Sequence, residues 1–304
     1  MRRDAAVAPV IAAMLVLAVI VTFFAVWNAT AIPAMKEQAE VSHLHEVESG
    51  ILRFSSDIES AASTPNNMKL SERIPLGGGD VLFSSTRSGG TLAIQDEDKN
   101  RPYMVMEISS TESGSDHLNG ANFRLVNYSY RPFGNFWQDQ GYIWSHGNVN
   151  VTKGTLMTPF KRAVEYNLTD ALFSAGSYPN PADPYNCSVV DIKGVNIIRA
   201  NSDGSVSGNG MGTLALESTR RTKNIPNVTH INITVSSPLP DFKKALRESI
   251  NTSLNNSVVE SPHCGNIHFN RMLSNDNSIW LTIDPGPTNV TVSRQITDIS
   301  LSAY

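Results

Sequence analysis

The chain opens with a long apolar block. From Val7 to Trp27, Thr22 is the one polar side chain. About 20 apolar residues are enough to span a bilayer as a helix, whereas the apolar region of a secretory signal usually has only ~7 to 15. The block therefore predicts a transmembrane helix that is retained rather than removed, with Trp27 at the outer interface.

A second helical pattern follows the block. Apolar or small side chains recur at alternating three- and four-residue spacings, at Leu44, Val47, Ile51, Phe54, Ile58 and Ala61. This spacing places them on one face of a helix that runs to about residue 63. The face can dock on the protein's own globular domain, which is the simpler interpretation, or on another copy of the helix.

Beyond residue 67 the period changes to short alternating runs separated by Gly, Pro, Asn and Ser. Such runs predict strands that begin near Asp80, Thr91, Tyr103, Asn122, Gly141, Asn148, Gly194, Gly212, Val228, Asn266, Ser278 and Asn289. One helical pattern interrupts them, because Phe242, Leu246, Ile250 and Leu254 recur every four residues. This helix is expected to lie on a sheet.

These patterns together predict an α+β protein. Residues 1–66 form a long N-terminal helix, transmembrane over about 7–27 and an amphipathic stalk to about 63. Residues 67–304 form a mainly antiparallel β-sandwich or jelly roll with one packed helix. The net charge is -4, so the chain lacks the basic field of a nucleic-acid-binding protein, and membrane lipid is the expected partner.

The flanks of the block predict its orientation. Arg2 and Arg3 precede it, and the next charges after it are Lys36 and Glu37. Positively charged residues favour the cytoplasmic side of a membrane. We therefore expect a single-pass protein of the cell membrane with a cytoplasmic N-terminus and an extracellular C-terminal domain.

Two features fit an exterior domain. Asn-x-Ser/Thr sequons occur more often than the composition would give by chance, at Asn28, Asn127, Asn150, Asn167, Asn186, Asn227, Asn232, Asn251, Asn255 and Asn289. They suggest a glycoprotein, unless Asn, Ser and Thr simply fill strands and turns. The two cysteines, Cys187 and Cys264, permit one disulfide, with two buried free thiols as the alternative.

The N-terminus also carries a resemblance. Ala6, Val7, Ala8, Pro9, Val10 and Ile11 follow a short basic leader, and this start resembles that of archaeal type IV pilins. Ala8 stands where the family usually has serine, and Ala12 where it often has glycine. The resemblance covers about the first 30 residues. It implies cleavage by a prepilin-type peptidase around Arg3, Asp4 and Ala5, and a helix that packs into a filament core beneath a β-rich head.

Candidate chemistry is sparse. His43 and His45 face different sides of a helix, and His263, Cys264 and His268 lack a nearby fourth ligand. The sequence therefore predicts no metal site, no cofactor and no catalytic residues. The densest feature is aromatic, and it suggests a binding surface for glycan or protein at Tyr128, Tyr130, Trp137, Tyr142 and Trp144. The alternative is that these rings close the end of a core by cross-strand pairing.

The sequence thus favours a non-enzymatic, membrane-anchored cell-surface protein. The first hypothesis is a pilin-like subunit with a structural or adhesive role that associates with copies of itself or with other pilin-like subunits. The second is a signal-anchored extracellular module that recognises glycan or protein. An anchored hydrolase is a minor third. Cleavage of the leader separates the first from the second, because an uncleaved chain stays in the bilayer.

Overall fold

A computed structural model describes residues 7–64, 66–78, 88–97, 101–112, 115–135, 137–160, 168–200, 204–259, 264–270, 278–283 and 289–304. The helices are α1 (Val7–Ser63), α2 (Leu168–Leu172) and α3 (Pro240–Leu254), and a π-helical turn, Asn255–Val259, follows α3. The strands are β1 (Met68–Pro75), β2 (Gly89–Asp96), β3 (Met104–Glu112), β4 (Ser115–Phe123), β5 (Val126–Phe133), β6 (Gln140–Ser145), β7 (Asn148–Lys153), β8 (Leu156–Pro159), β9 (Phe173–Asn180), β10 (Asp183–Arg199), β11 (Ser205–Gly208), β12 (Met211–Ile225), β13 (Val228–Val235), β14 (Ile267–Asn270), β15 (Ser278–Ile283) and β16 (Thr291–Ala303).

Helix α1 is a single element of 57 residues with Pro33 inside it, about 85 Å long at ~1.5 Å per residue. Its two halves have opposite surroundings. The large apolar side chains from Val10 to Trp27 are 46 to 66% exposed. The second half buries the predicted apolar face, which comprises Leu44, Val47, Ile51, Phe54, Ile58 and Ala61. This stretch is therefore a core element of the β-rich part and not a stalk separate from it.

The strands form three sheets. Sheet A has the order β1-β12-β16-β10-β9, sheet B the order β11-β2-β5-β6-β7-β8, and sheet C the order β14-β15-β13-β3-β4. Among the described strands every pairing is antiparallel except that of β10 with β16, which is parallel over residues 189–199 and 291–301. The α+β class with mostly antiparallel strands is confirmed, while the third sheet and the parallel pair were not predicted.

The sheets meet at a break between β4 and β5. The sequence predicted one strand from Asn122 onward, but the chain leaves sheet C after Phe123 and enters sheet B at Val126. The backbone N–H of Arg124 donates to Asn196 Oδ1 at 2.8 Å. The carbonyl of Arg124 accepts the N–H of Ile197 at 2.9 Å. Both partners lie on β10 of sheet A, so this short crossing ties all three sheets together.

The predicted helix on a sheet is confirmed as α3. Phe242, Leu246, Ile250 and Leu254 are its buried residues, and Pro240 at its first turn costs nothing there because that position has no intrahelical partner for an N–H. Several elements were not predicted, namely β1, β4, β8, β9, β11 and α2. The strand predicted near Asp80 lies outside the described residues.

Candidate functional site

The first half of α1 is the largest exposed apolar surface of the described chain. One 18-residue window has a mean hydropathy of 2.8 and none of it is buried, so this helix has the length and composition of a membrane span. Its polar side chains bond to their own helix: Thr22 Oγ1 donates to the Val19 carbonyl at 2.9 Å, and Asn28 Nδ2 to the Phe24 carbonyl at 2.9 Å. Thr30 Oγ1 bonds the Val26 carbonyl in the same way. These bonds lower the cost of placing polar groups in an apolar medium.

The predicted aromatic surface lies under the second half of α1. Tyr128 and Tyr130 on β5, and Tyr142 and Trp144 on β6, are at most 1% exposed. Strand alternation points all four toward the helix. The Tyr128 ring stacks on Trp144 with centroids 5.2 Å apart, and Phe54 of α1 meets Tyr128 edge-on at 5.2 Å. For these four residues the prediction of an exposed binding surface is wrong, because α1 covers the face on which they lie.

The hydroxyl groups of Tyr128 and Tyr130 are hydrogen-bonded to α1 and to the segment that follows β1. Tyr128 Oη donates to the Ile51 carbonyl at 3.0 Å. Tyr130 Oη donates to the Leu76 carbonyl at 3.1 Å and lies 2.9 Å from His43 Nε2. Burial raises the pKa of Tyr128 well above its ordinary value and lowers that of His43. The phenols therefore stay protonated and act as donors.

Trp137 is the exception among the five aromatic residues, since its side chain is 47% exposed. It lies in the loop between β5 and β6, and this loop is fastened to α1 through Glu40. The fully buried Glu40 carboxylate accepts the backbone N–H groups of Trp137 at 2.9 Å and Gln138 at 3.2 Å. We call this contact the Glu40 clasp. It holds the loop beside the point where α1 leaves the β-rich part of the chain, which we call the head.

The two cysteines are joined in the structure as a disulfide between Cys187 and Cys264, 77 residues apart in sequence. Asn266 supports the bridge: its Oδ1 accepts the Cys187 N–H at 3.0 Å and its Nδ2 donates to the Cys187 carbonyl at 3.2 Å. Cys187 belongs to β10, and Cys264 precedes β14. The bridge thus connects sheet A with sheet C.

The sequons differ in accessibility. Asn28 and Asn289 are exposed, whereas the others that the structure describes are half-buried: Asn127, Asn150, Asn186, Asn227, Asn232, Asn251 and Asn255. Asn232 is also engaged within the fold, because its Nδ2 donates to Glu107 Oε2 at 3.0 Å. Asn167 and the predicted cleavage residues Arg3, Asp4 and Ala5 lie outside the described residues. Within the described ranges, no group of three His, Cys, Asp or Glu side chains is placed to hold a metal ion.

Sequence reasoning missed a cleft on the opposite face of sheet B. It has a volume of about 1100 Å³ and lies between this outer face and the segment that leads into α3. On β5, Asn127, Ser129 and Arg131 alternate with the buried tyrosines and point to the cleft. Across the sheet, Gln95 pairs with Asn127, and Asn150 pairs with Ile143. The alternation of polar and aromatic residues along β5 indicated a polar face opposite the tyrosines. The sequence did not show which residues of the other strands lie beside it.

One end of the cleft is built on the β6–β7 turn. His146 and Gly147 have φ values of 53° and 85°, as a two-residue type I′ hairpin requires. The His146 ring is turned inward, with Nδ1 2.7 Å from Ser145 Oγ and Nε2 2.6 Å from Glu97 Oε1. The Glu97 contact does not have the geometry of a hydrogen bond. The ring also meets Phe242 of α3 edge-on, with centroids 4.5 Å apart.

This arrangement can be compared with a hydrolase triad. In a triad the imidazole contacts the serine through Nε2 and the carboxylate through Nδ1, whereas here Nδ1 faces Ser145 and Nε2 faces Glu97. The ring also packs against Phe242 of α3, which forms part of one wall of the cleft. The geometry therefore favours a structural role, in which His146 links sheet B to α3.

Comparison with protein-family models, with curated proteins and with solved structures found no match.

Proposed function

We propose that the protein is a non-enzymatic, membrane-anchored surface protein of the pilin-like type, with a structural or adhesive role. In this proposal the first half of α1 lies in the bilayer and, after removal of the leader, packs with other copies or other pilin-like subunits in a filament core. The head, which we propose to be a sandwich formed by sheets A and B around α1, lies outside the cell.

One observation carries the proposal. A single uninterrupted helix is exposed and apolar over its first half, and buried along one face in the head over its second half. A segment that is apolar all round requires lipid or other helices as its surroundings. Because the same helix is part of the head's core, a load on the head passes to the buried segment without a flexible linker. This is what a surface anchor or a filament subunit requires.

The resemblance of Ala6 to Ile11 supports the pilin route over a plain signal anchor. Small residues in the first half, among them Ala12, Ala13 and Ala18, allow helices to approach closely. An anchored binding module is the alternative function. It uses the same helix in the same membrane, and it differs in keeping the leader.

N-terminal mass spectrometry of the native protein separates these two functions. A mature chain that begins near Asp4 or Ala5 supports processing and assembly. An intact leader from Met1 to Arg3 would contradict the pilin route and leave the anchored module. Protease added to intact cells should digest the head, because the proposed topology places it outside; full protection of the head would contradict that topology.

Assembly itself is tested by paired substitutions on α1. Leu15→Glu with Val19→Glu places two carboxylates in the exposed apolar half, where each costs about 2–4 kcal/mol in an apolar medium. Electron microscopy of cell surfaces should then show filaments lost or sharply reduced. The control is Gln38→Glu with Val41→Glu, on exposed positions of the same helix beyond the apolar half. Equal filament yield from both pairs would contradict assembly through the first half of α1.

A further inference from the structure

The cleft on the outer face of sheet B has no part in the function proposed above. Its volume of about 1100 Å³ is slightly above the ~300–1,000 Å³ that small-molecule sites usually have. The sheet forms its floor, and Pro238 to Phe242 form a wall that the His146–Phe242 contact holds in place. A cleft of this size suits an extended ligand of several rings better than a single small metabolite.

Four polar side chains of the floor have hydrogen-bonding capacity that the fold leaves unused. In the part of the chain that the structure describes, the side chains of Gln95, Asn150 and Arg131 make no hydrogen bond or ion pair to another protein group. Asn127 Oδ1 is buried without a hydrogen-bond partner, and rotation of the amide would present this acceptor to the cleft. Unbonded amide oxygens also occur outside the cleft, at Asn135, Asn232, Asn251 and Gln295. What distinguishes the floor is that four such side chains lie together on strands of one sheet, beside open space.

The chemistry of the lining defines the class of ligand. Of the lining residues that the structure describes, seven carry an amide or a hydroxyl and nine are apolar. Amides and hydroxyls can both donate and accept, as sugar hydroxyls do. Glu97 lies against His146, and Arg131 and Asp241 have opposite signs. Such a lining does not favour phosphate or another anion, which would need several cationic groups. The apolar side chains of Met157 and Leu239 are 57% and 44% exposed and offer contact to the C–H face of a sugar ring.

The position of the cleft argues against an extended peptide. Peptides commonly add a strand to a free sheet edge and bond to its backbone. Here β2, β5, β6 and β7 are each paired on both sides, so the floor offers side chains and no backbone groups. We propose that this cleft binds an uncharged oligosaccharide, with Gln95, Asn127, Arg131 and Asn150 supplying its hydrogen bonds.

The test uses the full-length protein in lipid nanodiscs on an array of neutral and anionic oligosaccharides of graded length. Binding to at least one neutral oligosaccharide is expected, with affinity then measured by calorimetry. Gln95→Ala and Arg131→Ala should each weaken it about fivefold to tenfold, as loss of a hydrogen bond does. Matched controls are Gln38→Ala and Arg73→Ala, at exposed positions outside the cleft, and they should leave the affinity unchanged.

Three results would overturn the proposal. The first is an array without binding to neutral oligosaccharides, including one that binds anionic sugars alone. The second is binding that the cleft variants and the controls affect equally. The third comes from mass spectrometry of the native protein: a covalent glycan on Asn127 or Asn150 would fill the cleft with the protein's own sugar and leave no room for a free ligand. None of these results bears on the filament assay, so the two proposals fail separately.

Discussion

Replacing Phe54 by alanine removes a fully buried ring that meets Tyr128 edge-on at 5.2 Å. Truncation of a buried phenylalanine usually costs about 3–5 kcal/mol, through lost burial and the cavity left behind. The head cannot collapse into this space easily, because Tyr128 is stacked on Trp144 and bonded to the Ile51 carbonyl. For a domain of this size, the loss corresponds to a fall in Tm of roughly 6–20 °C.

The matched control is Phe24→Ala, the same change on the same helix in its exposed half. It should alter the stability of the head by no more than about 0.5 kcal/mol. Both variants are compared with the parent protein in detergent, with near-UV circular dichroism reporting the packed aromatic cluster during denaturation. Equal shifts in the two variants, or a shift below about 1 kcal/mol for Phe54→Ala, would refute the docking of α1 on the aromatic side chains of β5 and β6.

Further predictions concern single contacts in the head. Burial raises the pKa of Glu59 from 4.5 to about 7. The folded state therefore holds this proton more tightly than the unfolded state does, and it loses stability as pH rises from 4.5 to about 7. Glu59→Gln should therefore be more stable than the parent by about 1–2 kcal/mol at pH 8, with the difference gone below pH 4.5 in denaturant titrations; a gain at low pH would contradict this. Glu40→Ala leaves two backbone N–H groups without this acceptor, and hydrogen exchange at Trp137 should accelerate together with a loss of about 1–3 kcal/mol; unchanged exchange would argue against the Glu40 clasp. Cys187→Ser with Cys264→Ser opens a loop whose ends are 77 residues apart and should cost about 4 kcal/mol in thermal unfolding without reductant, whereas a loss of the same size with and without reductant would point to free thiols. A serine-directed fluorophosphonate should leave the native protein unlabelled, and labelling would favour the hydrolase hypothesis.

The parts of the fold that depend on local periodicity were predictable from the sequence. The buried face from Leu44 to Ala61 and the four buried residues of α3 appear where the spacing placed them. Each such pattern lies within one element and needs no knowledge of its neighbours. The same holds for the apolar block, because length and composition alone define it.

The arrangement of the sheets was not predictable in the same way. The parallel partners β10 and β16 begin at Asp183 and Thr291, far apart in sequence. The hydrophobic pattern of one strand does not show which other strand it pairs with. A short strand such as β8 has little alternation to detect, since all four of its residues are exposed. Pairing is decided by packing over long separations, which a single sequence does not display.

The candidate sites show the same contrast between what lies within one element and what depends on several. The aromatic residues of β5 and β6 stand out in the sequence, but a ring that contacts a ligand and a ring that seats a helix have the same residue type. The structure distinguishes them because α1 covers one face of sheet B. The cleft was harder to anticipate, since Gln95, Asn127 and Asn150 are ordinary polar residues on three strands. They become neighbours through the register of β2, β5, β6 and β7.

The continuity of α1 also sets the direction in which the head faces. Each residue of a helix adds about 1.5 Å of rise and about 100° of rotation. One residue inserted between Trp27 and Lys36 would therefore turn the head by more than a quarter of a circle about the helix axis while lifting it only slightly. The direction in which the cleft faces about the helix axis is thus set by the number of residues between the apolar half of α1 and the head, and insertion or deletion of single residues there would rotate it in steps of about 100°.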